Sequence, residues 1–112
     1  MKKFTVATAA TLLMLNTNVF ADAHVDEAIT HTTAAIEQGQ ASNARELVAH
    51  ARPALEHTMV ASVSAKSIAR THVEAAMLDL ENAIKQGKAD DSAGATTNLQ
   101  SALVHLNAAN KI

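Results

Sequence analysis

The strongest constraint on the fold of this chain is an internal repeat, in which the second half of the sequence restates the first after 48 residues. Residues 24–61 and 72–109 share 12 identities over 38 aligned positions. Two alanine-rich segments of this length would share about four by composition alone. The sequence therefore predicts two copies of one supersecondary unit.

Each copy contains two stretches in which apolar residues recur every three or four positions, as in an amphipathic helix. We expect helices at about residues 23–38, from 42 or 43 to 60, at 68–86, and from just after Asp91 to 110. Gly39 and Gly87 are predicted to end the first and third helices, because glycine readily adopts positive φ. No stretch alternates like a β-strand. The pattern predicts an all-α, up-down-up-down four-helix bundle built from a duplicated helical hairpin.

The first residues have the pattern of a secretory signal peptide. Lys2 and Lys3 precede a mostly apolar stretch, and small residues stand before Asp22. We expect cleavage after Ala21, with a second site two residues later. The apolar stretch is short and rich in threonine for a membrane span. The predicted division is a signal at 1–21 and a bundle domain at 22–112, with a periplasmic or secreted location.

The composition of residues 22–112 excludes several classes of function. The chain has no cysteine, so it has no disulfide, thiolate site or cysteine nucleophile. Its two aromatic residues, Phe4 and Phe20, belong to the predicted signal, which leaves no Phe, Tyr or Trp ring for stacking on bases or flat cofactors. Without Lys2 and Lys3, 7 of the 9 basic side chains remain against 11 acidic ones, a net charge of about −4. We therefore expect no nucleic-acid partner, no membrane association after cleavage, and a monomer.

Six histidines share one flank of the predicted helices, beside the apolar stripe rather than within it. They are His24, His31, His50, His57, His72 and His105. In an antiparallel hairpin, residues whose numbers give the same total lie at the same level. This rule sets His24 opposite His57, His31 opposite His50, and His72 opposite His105. The sequence leaves open whether these flanks face the groove between the helices or face away from it.

If the flanks converge, each level offers two imidazoles to a metal ion, with Glu27 and Glu46 close by. Successive levels lie about 10.5 Å apart at 1.5 Å per residue, so they form separate sites. Imidazole with carboxylate suits Cu(II) first, with Ni(II) and Zn(II) as alternatives. The competing interpretation is that the histidines are solvated surface residues with no ligand.

Several stretches resemble the small metal-binding protein (SmbP) family: HVDEAITH, ELVAHARPALEH, THVEAAMLDLENAIKQG and SALVHLNAA. The resemblance covers nearly all of residues 23–111. It implies an exported, histidine-rich four-helix bundle that binds Cu(II), Ni(II), Zn(II) and related ions, with the six histidines where the family pattern carries histidine. The chain departs from that pattern at Gln38, Asp79, Gln86 and Asn98, where the family favours histidine. The second half should therefore hold less metal.

These observations favour an exported, non-catalytic metal-binding bundle for metal buffering or transport. The alternative is a structural or partner-binding, chaperone-like bundle in which the histidines are incidental. An enzyme ranks third, because the sequence has no nucleophile elbow, H-E-x-x-H motif or phosphate loop. It also lacks the Glu-x-x-His pairs of di-iron bundles.

Overall fold

The computed structural model describes residues 20–111, and this part of the chain consists of four helices joined by short turns. The helices are α1 (Phe20–Gln40), α2 (Ala44–Ser64), α3 (Ser67–Lys88) and α4 (Ser92–Asn110). No strand occurs between residues 20 and 111. The closest packing is between α1 and α2 and between α3 and α4, so the bundle consists of two hairpins and the predicted fold class is confirmed. Residues 1–19 of the predicted signal lie outside the described residues.

The starts of α2 and α4 are set by equivalent capping residues in the two copies. The Asn43 side chain accepts a hydrogen bond from the Glu46 N–H, and the Asp91 side chain accepts one from the Gly94 N–H. Each cap satisfies one of the N–H groups that a helix leaves unpaired at its N-terminus. Of the two expected starts of the second helix, the structure selects the one capped by Asn43.

The glycines do not end α1 and α3, so that prediction is wrong. Both helices continue past the glycine, and the positive φ falls on Ser42 (60°) and Asp90 (64°) instead. The Asn43 N–H bonds to the Gln38 carbonyl and the Ser42 N–H to the Gly39 carbonyl, which is the Schellman arrangement. The Asp90 turn repeats both bonds.

Gly39 and Gly87 are buried because neighbouring helices approach them closely. A Cβ atom on Gly39 would collide with the Thr96 hydroxyl of α4 and lie 2.8 Å from Leu47 Cδ1 of α2. A Cβ atom on Gly87 would lie 3.2 Å from Leu47 Cδ2 and closer still to Val48. The glycines are therefore needed for the contact between helices rather than for a turn.

The core is narrow because most of its buried positions are alanine, with a few larger side chains between them. The two copies differ in the size of equivalent buried residues: Leu47 corresponds to Ala95, and Ala51 to Leu99. A large residue in one copy thus matches a small one in the other, as close packing requires. None of the helices between residues 20 and 111 has the length and apolar character to cross a membrane.

Candidate metal centre

All six histidines are half-buried and lie along the sides of the two hairpins. His24 and His31 are two turns apart on one face of α1, and His50 and His57 are spaced in the same way on α2. The His24 and His57 Nδ1 atoms are 2.9 Å apart. In the second hairpin the His72 and His105 Nδ1 atoms are 3.0 Å apart. The flanks therefore converge on the groove between the helices of each hairpin, which the sequence left open.

His57 contacts both histidines of α1. Its ring lies 5.2 Å from the His24 ring, between centroids, and is tilted by 31°. The His31 ring lies 5.7 Å from it on centroids and is stacked nearly parallel, at 8°. His57 thus brings the imidazoles of two predicted levels into one cluster.

The contact between His31 and His57 crosses the predicted levels for a geometric reason. Side chains on a helix lean toward its N-terminus. In the antiparallel hairpin, His31 leans away from the connecting turn and His57 leans toward it. The two rings therefore approach each other across the predicted levels.

Glu27, His31 and His57 form a group in which one ligand atom from each lies within 4.8 Å of the others. Bonds of about 2.1 Å to a metal ion place neighbouring ligand atoms about 3–4 Å apart. Small side-chain rotations would bring the three groups to that separation, and Glu27 is free to rotate because it is exposed. All three residues belong to the set that the sequence singled out.

The histidines of α1 are biased toward the neutral form, which is the form that binds metals. Burial lowers the pKa of His24 and of His31 below the ordinary value of 6.5. The positive charge of His57 acts in the same direction on both, and Glu27 opposes it. His50 lowers the pKa of His31 as the weakest of these effects. Metal binding through His24 or His31 therefore competes with fewer protons than it would at an isolated histidine.

Within the first hairpin, Glu46 and His50 are predicted ligands outside the three-residue group, as is His24, which contacts His57. Glu46 is exposed in the first turn of α2, where its N–H is capped by Asn43. The charge of His50 lowers the pKa of His31, but His50 is not one of the three residues in the group. His31 contacts His57 across the predicted levels, and the pairing of His31 with His50 stays a prediction.

The second hairpin repeats the histidine pair without the third ligand. The His72 and His105 rings lie 5.3 Å apart between centroids, tilted by 35°, as in the first hairpin. Asp79 stands where the first copy has His31, and its carboxylate accepts a hydrogen bond of 2.7 Å from Ser101. Asn98 donates a hydrogen bond to Gln86. Within residues 20–111, the geometry that could hold a metal with three ligands is confined to the first hairpin.

Comparison with known proteins gives a match over nearly the complete chain. The model of a family described as "Small metal-binding protein" matches residues 1–109. The comparison with curated proteins gave no significant match. The matched residues include all six histidines and both hairpins.

Proposed function

This chain belongs to the small metal-binding protein family, and we propose that it is an exported, non-catalytic binder of divalent transition metal ions. In this proposal it buffers or carries these ions outside the inner membrane, as a monomer whose partners are the ions themselves. The predicted signal at residues 1–21 supports the location, and the acidic balance of the remaining chain disfavours nucleic acid as a partner.

The observation that carries the proposal is the group formed by Glu27, His31 and His57, in which two imidazoles and one carboxylate face one another. Imidazole nitrogen with carboxylate oxygen suits Cu(II), Ni(II) and Zn(II), and Cu(II) has the highest affinity of the three for such donors. The chain has no cysteine to supply the thiolates that Cu(I) prefers. Open positions on the ion would be filled by water, which fits an ion that must be released again.

The proposal can be tested by calorimetric titration of the metal-free chain 22–112, prepared without a histidine tag. Cu(II), Ni(II) and Zn(II) should each bind with at least one site per chain. No heat of binding and no metal retained after dialysis, with all three ions, would contradict the proposal. A structural or partner-binding bundle would then be the better description.

Two matched double variants, one in each hairpin, then show which residues bind the ion. Zn(II) is the probe because it binds imidazole and carboxylate without a preference for square-planar geometry. His31→Gln/His57→Gln should weaken the tightest Zn(II) site at least about tenfold, which is about 1.4 kcal/mol. His72→Gln/His105→Gln should mainly lower the capacity. Equal losses in the two variants would show that both hairpins bind alike.

A further inference from the structure

We propose that export creates a second metal site at the new amino terminus, formed by the first three residues of the processed chain. Cleavage after Ala21 leaves Asp22-Ala23-His24 at a free end. The donors are the Asp22 amine, the backbone nitrogens of Ala23 and His24, and Nδ1 of His24. This site rests on the export that the proposed function includes, and it does not depend on Glu27, His31 or His57.

The four nitrogens favour Cu(II) and Ni(II) because they lie in one plane when the three residues wrap around an ion. The backbone closes two five-membered chelate rings, and His24 Nδ1 closes a six-membered ring with its own amide nitrogen. Square-planar nitrogen coordination is characteristic of these two ions. Binding releases three protons, one from the terminal ammonium and one from each of the two amides. Zn(II) does not share the preference for a square plane.

Cleavage after Ala21 would place these three residues at the end of the chain, where their amides have no acceptor within the helix. Asp22 and Ala23 are exposed at the start of α1. After cleavage they become the first residues of that helix, where the N–H groups have no intrahelical acceptor. Deprotonating the Ala23 and His24 amides therefore breaks no hydrogen bond that these N–H groups make within the helix. Asp22 also borders an open groove whose other wall includes Ala65 and Ala69, so the first turn has room to unwind.

The terminal site and the cluster in the hairpin use different side chains. His24 Nδ1, the atom that the chelate ring needs, faces His57 Nδ1 at 2.9 Å. His24 must leave His57 to join the terminal site. The group of Glu27, His31 and His57 does not include His24, so it stays complete when His24 moves away. One processed chain can therefore hold an ion at its terminus and another between α1 and α2.

The first part of the test is the mass of the exported protein, which should correspond to a chain that starts at Asp22. The second part uses Ni(II) as the probe, because square-planar Ni(II) is diamagnetic and yellow whereas Ni(II) on imidazole, carboxylate and water is paramagnetic. The processed chain should bind one equivalent of diamagnetic Ni(II). A start at any other residue, or only paramagnetic Ni(II), would overturn the site.

Two changes remove the terminal site while His24 and the cluster residues remain. One added glycine before Asp22 moves His24 to the fourth position. Ala23→Pro removes an amide proton, and proline is tolerated in the first turn of a helix. Both should abolish the diamagnetic Ni(II) signal, and Zn(II) binding should persist in both. His31→Gln/His57→Gln should weaken Zn(II) binding and keep the diamagnetic Ni(II) signal. Failure of the terminal site can therefore be told apart from failure of the proposed function. Retention of the signal in the extended chain would contradict the site.

Discussion

His57 has the most connected position among the histidines, because it contacts His24 through its Nδ1 atom and His31 through its ring face. It is also one of the three possible ligands in the group with Glu27. A hydrogen bond between two imidazole nitrogens requires that one ring accept, so at least one ring of the His24–His57 pair is neutral without metal. At least one imidazole of this pair is therefore already in the neutral, metal-binding form in the metal-free protein.

Replacing His57 should therefore harm metal binding more than replacing His50, which is on the same helix and equally half-buried. We expect His57→Gln to weaken Zn(II) binding at the tightest site at least about tenfold, or about 1.4 kcal/mol. His50→Gln should change it less than about threefold, which is about 0.65 kcal/mol. Calorimetric titration of the two single variants makes the comparison. A larger loss from His50→Gln would favour pairing of His31 with His50.

Acid should destabilise the metal-free protein through His24 and His31. Their pKa values are lowered in the folded state by burial first and by His57 second. The unfolded chain therefore takes up protons before the folded one as the pH falls through about 6.5, and the free energy of unfolding decreases. We expect a lower Tm at pH 5 than at pH 7.5. His24→Gln/His31→Gln should reduce that difference, and an unchanged difference in the variant would contradict the assignment.

The α1–α2 and α3–α4 turns have the same backbone structure in the two copies, although their side chains differ. Ser42 and Asp90 occupy equivalent positions with positive φ, and the same two backbone hydrogen bonds close both turns. The glycine three residues earlier in each copy is kept for packing against α2 or α4. The turns fix the register of each hairpin, and this register brings His24 to His57 and His72 to His105.

Gly39→Ala should destabilise the bundle, although alanine is favoured over glycine by about 1 kcal/mol inside a helix. The added methyl group would collide with Thr96 of α4 and lie 2.8 Å from Leu47 Cδ1. Overpacking of this kind costs about 1–3 kcal/mol. Gln40→Ala, at the exposed neighbouring position, is the control and should be nearly neutral. Denaturant unfolding measures both, and stabilisation by Gly39→Ala would contradict the close packing.

The second hairpin should hold metal tightly enough to survive dialysis when its missing imidazole is restored. Asp79 corresponds to His31, and Ser101 now holds its carboxylate by a hydrogen bond. Asp79→His should place a third imidazole against the His72–His105 pair and add about one Zn(II) per chain, counted after dialysis. Asp79→Asn loses the charge and adds no imidazole, so its capacity should not rise. An equal capacity in the two variants would contradict the equivalence of the hairpins.

Across the complete bundle, the sequence predicted the features that depend on periodicity. Four helices, two equivalent hairpins and the shared level of His24 and His57 follow from the heptad spacing and the repeat; whether the two rings face each other did not. The pairing of His31 depends on the direction in which side chains lean, which a comparison of residue levels omits. The role of Gly39 depends on the approach of Thr96 from α4, a distant part of the sequence. A contact between residues of different hairpins has no pattern in the neighbouring sequence from which it could be predicted.

The position of a bound ion can be measured by anomalous diffraction from crystals of the chain 22–112 grown with one equivalent of Zn(II). We predict the strongest anomalous peak between α1 and α2, about 2.0–2.2 Å from nitrogen atoms of His31 and His57 and from a Glu27 oxygen. A strongest peak between α3 and α4 at His72 and His105, or one bound only by carboxylates, would contradict it.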